Sequence, residues 1–385
     1  MKKIQMVDLK GQYEKIKDEV DSGIRQVIES TSFINGPVVH EFQKDLENYL
    51  QVKHVIPCAN GTDALQIAMM GLGLKPGDEV ITADFTFAAT VEVIALLQLT
   101  PVLVDVDPVT FNIDTEAIKK AITPKTKAIV PVHLFGQAAN MEEIMQLAEA
   151  HNLFVIEDNA QAIGADYIFN DGSVKKTGAI GHVGATSFFP SKNLGCYGDG
   201  GAIFTNDDEL AHTLRGIVNH GMYRRYYHDV VGVNSRLDSI QAVVLKAKLP
   251  HLDVYNKARR QAAQKYTNAF AGNDKIITPN YCTACDAQRY DACNTHVFHQ
   301  YTLRLKGVDR DGLVDFLNEK GIPCGVYYPV PLHQQKAYQD SRYREADFKV
   351  TNQLVNEVIS LPMHTELDDD QIEFIANTVL KFINQ

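Results

Sequence analysis

From Val38 to about Asn206, short apolar runs alternate with stretches of helical period. This pattern limits the fold of the chain more narrowly than any other. Glu41 to Leu50 reads as a helix, because Phe42, Leu46, Tyr49 and Leu50 fall on one face. Asp63 to Leu72 reads as a second, and Met141 to His151, with Ile144, Leu147 and Ala148 on one side, as a third. Between them, Val55–Cys58, Val80–Ile81, Val102–Val106, Ala128–Val132 and Leu153–Ile156 are brief apolar segments, several ending in polar or Gly/Pro punctuation. Strands that alternate with helices of about 10 to 15 residues predict a mostly parallel sheet covered on both faces.

The later chain reads differently. Ser235 to Phe270 is one long helical stretch, expected to bend at Pro250, whose missing N–H breaks the hydrogen-bond ladder. A strand (Gln300–Leu305), a helix (Arg310–Lys320), a strand (Gly325–Tyr328) and a closing helix (Asp369–Ile383) follow. The expected class is therefore α/β, with a large domain over residues 1–245 and a smaller α+β domain over 246–385. No Pro/Gly-rich linker, repeat or low-complexity tract separates them.

Composition narrows the function classes. The 37 Lys and Arg against 48 Asp and Glu leave a formal charge of −11, the reverse of a nucleic-acid-binding surface. No apolar run reaches the ~20 residues of a bilayer span. Met1 to Gln12 has no apolar signal core, and six Cys in 385 residues do not make a disulfide scaffold. A cytoplasmic enzyme is expected.

Three segments carry chemistry. In Asn60-Gly61-Thr62-Asp63, a strand-like run turns into a helix, where free amides and the helix dipole attract an anion; a plain N-cap turn would look the same. In Ile156-Glu157-Asp158-Asn159-Ala160-Gln161, Asp158 stands at the end of an apolar strand, where an open parallel sheet presents its ligand edge. A carboxylate there can keep a ring nitrogen protonated, or can simply cap a turn. The third segment runs from Ser187-Phe188-Phe189 through Lys192 to Gly195, Gly198, Gly200 and Gly201. A loop lysine is ordinarily a solvated charge, but this one lies among aromatic and glycine residues with few other charges. Burial would lower its pKa and make the amine nucleophilic.

In this order the three segments resemble the fold-type-I pyridoxal-phosphate enzymes and, more narrowly, the DegT/DnrJ-type nucleotide-sugar aminotransferases. Phe33-Ile34-Asn35-Gly36-Pro37, Thr86-Phe87-Ala88-Ala89-Thr90, Gly232-Val233-Asn234-Ser235-Arg236-Leu237-Asp238 and Tyr328-Pro329-Val330-Pro331-Leu332-His333 extend the resemblance over essentially the whole chain. It implies a seven-stranded, mostly parallel sheet in the large domain and pyridoxal 5′-phosphate as cofactor. Lys192 would form the Schiff base and act as general base. Asp158 would hold the pyridine nitrogen protonated, Gln161 would bond the ring hydroxyl, and Phe87 would stack on the ring. Gly61, Thr62 and Ser187 would bind the phosphate, with Asn234 completing the site of a partner subunit in a homodimer.

The resemblance further implies L-glutamate as amino donor, 2-oxoglutarate as its product and a nucleotide-linked keto sugar as acceptor. Arg236, Tyr328 and His333 match sugar- or phosphate-contacting positions, and Arg224 and Arg225 are further candidates for the diphosphate. Gly184 to Gly195 and Asn219-His220-Gly221 are most similar to the branch acting on UDP-2-acetamido-3-keto-glucuronic acid in surface-polysaccharide (O-antigen) synthesis. A dTDP-3-keto-6-deoxyhexose or a 4-keto sugar is the alternative substrate. The related dehydratases carry His in place of the lysine, so Lys192 argues against them. A regulatory protein that keeps the fold and cofactor without catalysis is the alternative of another class. No metal is expected, although Cys282, Cys285, Cys293 and His296 have a spacing that could hold zinc. Cys58, Cys196 and Cys324 read as packing residues.

Overall fold

The computed structural model describes residues 2–280 and 293–384. Its main sheet has seven strands: β1 (His54–Cys58), β2 (Glu79–Ala83), β3 (Thr100–Val104), β4 (Thr126–Val130), β5 (Phe154–Asp158), β6 (Val183–Ser187) and β7 (Gly201–Thr205). They lie in the order β1-β7-β6-β5-β4-β2-β3. β7 runs antiparallel to both neighbours, and every other pairing is parallel.

Neighbouring residues of one strand face opposite layers, and both layers are apolar. Ile81, Ile129 and Val155 pack with Met141, Ile144 and Ala148. Val80, Ala128, Val130, Ile156, Val183 and Ala185 pack on the other side with Ala64, Leu65 and Ala68. This double burial explains why the strands read as continuous apolar runs rather than alternating ones.

The helices agree closely with the periodicity. Pro37–Leu50 begins four residues before the expected start at Glu41, because Pro37 suits the first helical position, where no N–H is needed. Gly61–Gly71 is capped by the Asn60 side chain, which accepts from the Asp63 amide at 2.8 Å. The long stretch after Ser235 resolves into Ser239–Lys248, a 3₁₀ turn at Leu249–His251 around Pro250, and Leu252–Phe270.

A second sheet is antiparallel: β8 (Ile276–Ile277), β9 (Tyr301–Leu305) and β10 (Val358–Leu361), in that order. It packs on Leu252–Phe270, Arg310–Glu319 and Asp369–Ile383 through Tyr266, Phe270, Leu303, Leu317, Ile375 and Val379. One expectation is corrected here. Gly325–Tyr328 is not a strand: only Gly325 bridges to Ser360, and the third strand is Val358–Leu361. Pro323 and Pro329 flank the segment and withhold ladder amides, while Val326 to Pro329 line a pocket instead. None of the described helices is long and apolar enough to cross a membrane.

Candidate active site

β5 and β6 run parallel with Asp158 opposite Ala185, so Asp158 and Ser187 emerge together at the carboxyl edge of the sheet. A pocket of about 860 Å³ opens there. Its walls include Gly61 and Thr62, Thr86 and Phe87, Asp158 and Gln161, Ser187 and Lys192, and His299 and Tyr328. Segments more than a hundred residues apart in sequence thus meet in one cavity.

The cradle at one end depends on close approach. A Cβ on Gly61 would stand 2.6 Å from the Ser187 Cβ, and one on Gly201 would stand 2.4 Å from the Asn60 carbonyl oxygen. Without side chains at these two positions, the first turn of Gly61–Gly71 comes down on the ends of β6 and β7. Its opening amides lack intrahelical partners, and the Thr62 and Ser187 side chains stand beside them in the pocket wall.

Asp158 is buried. Its Oδ2 accepts from the Thr90 hydroxyl at 2.8 Å and its Oδ1 from the Ala160 amide at 3.1 Å. Burial raises its pKa, while Thr90, Ala160 and then Lys192 oppose the rise. Lys192 is half-buried on the same cavity. Burial pushes its amine down to about 8, against the pull of Asp158. Its loop is pinned on both flanks. The Lys192 amide donates to Phe189 O at 2.8 Å, Asn193 donates to Asn256 Oδ1 and Val297 O at 2.7 and 3.0 Å, and buried Lys248 donates to Gly195 O at 2.7 Å.

Gln161 is held at both ends. Its Oε1 accepts from the Phe135 amide at 2.7 Å and its Nε2 donates to the Tyr328 hydroxyl at 3.1 Å. Phe87 is 58% exposed, a large aromatic surface offered to the cavity, with its ring 6.4 Å from that of Tyr328. The Thr86 hydroxyl is buried in the same wall without a hydrogen-bond partner. An opposed carboxylate and low-pKa amine, an exposed ring, an anion cradle and an orphaned hydroxyl fit a flat, phosphorylated heteroaromatic aldehyde.

The structure does not bring every expected residue to this pocket. His333 is buried elsewhere: its Nδ1 lies 2.6 Å from Asp84 Oδ2, its Nε2 3.3 Å from Glu345, and its ring stacks on Phe348. Asn234 is exposed and pairs with Asn219 in an isolated bridge, and Arg236 donates to Asn219 Oδ1 at 3.3 Å. Arg224 and Arg225 lie on an exposed hairpin, over Tyr227 and Tyr226. Of the zinc-like spacing, Cys282 and Cys285 fall outside the described residues. His296 is buried against Phe298 and accepts from its amide. Among the described residues no group of three potential ligands is placed for a metal.

Sequence reasoning missed Thr90 and His299. Thr90 lies one turn beyond Thr86 and Phe87 in a segment already singled out, whereas His299 carries no local signal. It also passed over Glu157, whose buried carboxylate accepts from the amides of Gly178, Ile180 and Gly181 at 2.6–2.7 Å and meets His133 Nε2 at 2.9 Å.

Residues 14–380 match the model of the DegT/DnrJ/EryC1/StrS aminotransferase family. The chain belongs to that family. It is 45% identical to the UDP-2-acetamido-2-deoxy-3-oxo-D-glucuronate aminotransferase of Pseudomonas aeruginosa, covering 97% of this chain and 98% of the relative. It is 46% identical to the pleiotropic regulatory protein of Geobacillus stearothermophilus, covering 98% of each. The structure of S. venezuelae DesV in complex with a ketimine intermediate superposes with a TM-score of 0.92 at 36% identity, covering all of both chains. Membership makes this chain a sugar aminotransferase of the α/β class expected from its sequence.

Proposed function

We propose that the protein transfers an amino group from L-glutamate to the C3 keto group of a nucleotide-linked sugar, with UDP-2-acetamido-3-keto-glucuronic acid as its substrate. Two regions, residues 1–245 and 246–385, work as domains. The setting is surface-polysaccharide synthesis in the cytoplasm, by a homodimer. Asn234, Arg236 and the Arg224–Arg225 hairpin, all outside the pocket of their own subunit, then serve the partner's site. The observation that carries the catalytic reading is the pairing of a lowered Lys192 amine with a buried Asp158 carboxylate on one cavity.

The cofactor is pyridoxal phosphate, which supplies an aldehyde that holds the migrating amine and a ring that accepts the electron pair released at the substrate carbon. Lys192 Nζ, with a pKa near 8, is uncharged often enough at neutral pH to bond covalently, and once an incoming amine has released it, the free amine would take and return a proton. Asp158, fixed by Thr90 and Ala160, keeps a facing ring nitrogen protonated. Gly61, Thr62 and Ser187 hold the phosphate, and Phe87 supports the ring face. Gln161, tied to the Phe135 amide and the Tyr328 hydroxyl, would bond the ring hydroxyl. Glutamate and sugar use the same cavity in turn, so ping-pong kinetics are expected.

The identity to the P. aeruginosa enzyme supports the UDP sugar. The name of the G. stearothermophilus relative favours a second reading, a cofactor-binding regulator. Absorption spectra decide between them. Purified protein should show a visible cofactor band that L-glutamate bleaches and that a keto-sugar nucleotide restores. Lys192→Ala should lose both the band and turnover. A panel of UDP- and dTDP-linked 3-keto and 4-keto sugars ranks the substrates. A band indifferent to glutamate and to every sugar would leave the regulatory reading standing.

A further inference from the structure

His299 is buried to 94% of its surface, yet it lines the catalytic pocket. Its Nδ1 is enclosed without a hydrogen-bond partner, and the mechanism above gives it no task. Buried polar atoms are overwhelmingly paired in folded chains, so an orphan on a cavity wall is a mark of ligand contact. The backbone holds the residue firmly. Arg259, itself buried, donates to the carbonyls of Phe298, His299 and Met363 at 3.1, 3.4 and 3.0 Å. The main chain that carries the ring is therefore held at the entry to β9.

Its charge state follows from its neighbours. Burial, Lys192 and Arg259 all disfavour the imidazolium, in that order. A neutral imidazole offers one N–H donor and one acceptor nitrogen. The nitrogen that faces the cavity either donates or accepts, according to the tautomer, and a hydroxyl can pair with it in either sense. The carboxylates of an amino-acid donor call instead for a cation or for donors alone.

We propose that His299 is a specificity-determining residue for the sugar half-reaction, hydrogen-bonding a ring hydroxyl of the nucleotide-linked sugar and making no contact that the glutamate half-reaction needs. The proposal rests on the sugar-aminotransferase reading and deepens it.

The test compares two routes from the same pyridoxal holoenzyme to its amine form, both followed by loss of the visible band. One uses L-glutamate and the other uses UDP-2-acetamido-3-amino-glucuronic acid, run in reverse. His299→Phe keeps a ring of similar size without either nitrogen. It should lower kcat/KM for the amino sugar roughly 10- to 100-fold, the loss expected for one buried hydrogen bond. Glutamate should change by less than about threefold. His299→Asn, which keeps a donor and an acceptor, should recover part of the loss. Calorimetry with UDP-N-acetylglucosamine, which carries ring hydroxyls but no reactive amine, should show about 10-fold weaker binding by the Phe variant holoenzyme. Equal losses in both half-reactions, no loss in either, or an Asn variant no better than Phe would each overturn the assignment. If the wild type reacts with glutamate but not with this amino sugar, the substrate reading fails instead. The comparison then uses whichever nucleotide amino sugar the wild type accepts.

Discussion

Thr90→Val tests the electrostatics of the site with little steric change, since valine nearly matches threonine in shape but cannot donate. The Thr90 hydroxyl gives Asp158 one of its two hydrogen bonds, at 2.8 Å, and is fully buried. A hydrogen bond to a charged group contributes about 1.5–3 kcal/mol. At 1.36 kcal/mol per unit, its loss raises the Asp158 pKa by about 1–2 units. Burial already holds that carboxyl above its ordinary value, so the variant moves further in the same direction. An acid with a higher folded-state pKa loses its charge sooner as pH falls. The acid limb of the pH–rate profile should therefore shift upward by about 1–2 units, with both half-reactions slowed most on that limb. Stopped-flow absorbance measures each half-reaction from pH 5.5 to 9. Thr90→Ser, which keeps the hydroxyl, should stay close to wild type. Unchanged rates and an unmoved acid limb in a folded Thr90→Val protein would refute the claim that Asp158 works as an anion braced by Thr90.

Three further outcomes are expected. Uptake of pyridoxal phosphate by the apoprotein should accelerate with pH with a midpoint near 8, the pKa of the Lys192 amine; a midpoint near 10.5 in the absorbance-monitored rate would contradict its burial. Gly61→Ala puts a Cβ 2.6 Å from that of Ser187. Overpacking of this kind costs about 1–3 kcal/mol, which should appear as about 10-fold weaker cofactor binding in fluorescence titration. Glu157→Gln gives up one of two acceptor oxygens where three amides and His133 converge. It should destabilise the protein by about 3 kcal/mol in urea unfolding, and a change below about 0.5 kcal/mol would show that the network can rearrange freely.

Legibility followed the range of the interactions involved. The main sheet was readable because each of its central strands is apolar toward both layers. Val80 and Ile81 serve opposite cores, so a two-residue run already announces a covered parallel strand. Asp158, Lys192 and the Gly61–Thr62 turn were readable for a related reason. Asp158 ends such a strand and Gly61 starts a helix, where local pattern alone predicts exposure to a ligand, and Lys192 follows the end of another strand by five residues in a glycine-containing loop. What escaped was chemistry that depends on the second sheet. Val358–Leu361 takes the place expected for Gly325–Tyr328 because ladder amides, not apolar character, select the strand. His333 carries a motif resemblance, but Asp84 grips both its main-chain N–H and its Nδ1, which no local pattern reveals.

The two central groups are displaced by the same cause in opposite senses. Desolvation raises a carboxyl and lowers an amine, and here it acts on Asp158 and Lys192 across one cavity. Each charge partly offsets the other's displacement, and burial still leaves the lysine at about 8, so that a fraction of it is uncharged at neutral pH without a dedicated base beside it. A solvated lysine at the same position would remain a cation, and the fold would then bind a cofactor without turning it over. The proton affinity of this one amine is therefore a measurable quantity on which turnover depends. The depth at which the loop between Ser187 and Gly201 is pinned, by Asn193 on one flank and Lys248 on the other, sets that quantity. Freeing the loop with Asn193→Ala should raise the lysine pKa toward 10.5 and slow cofactor uptake at pH 7, although no atom that touches the cofactor has changed.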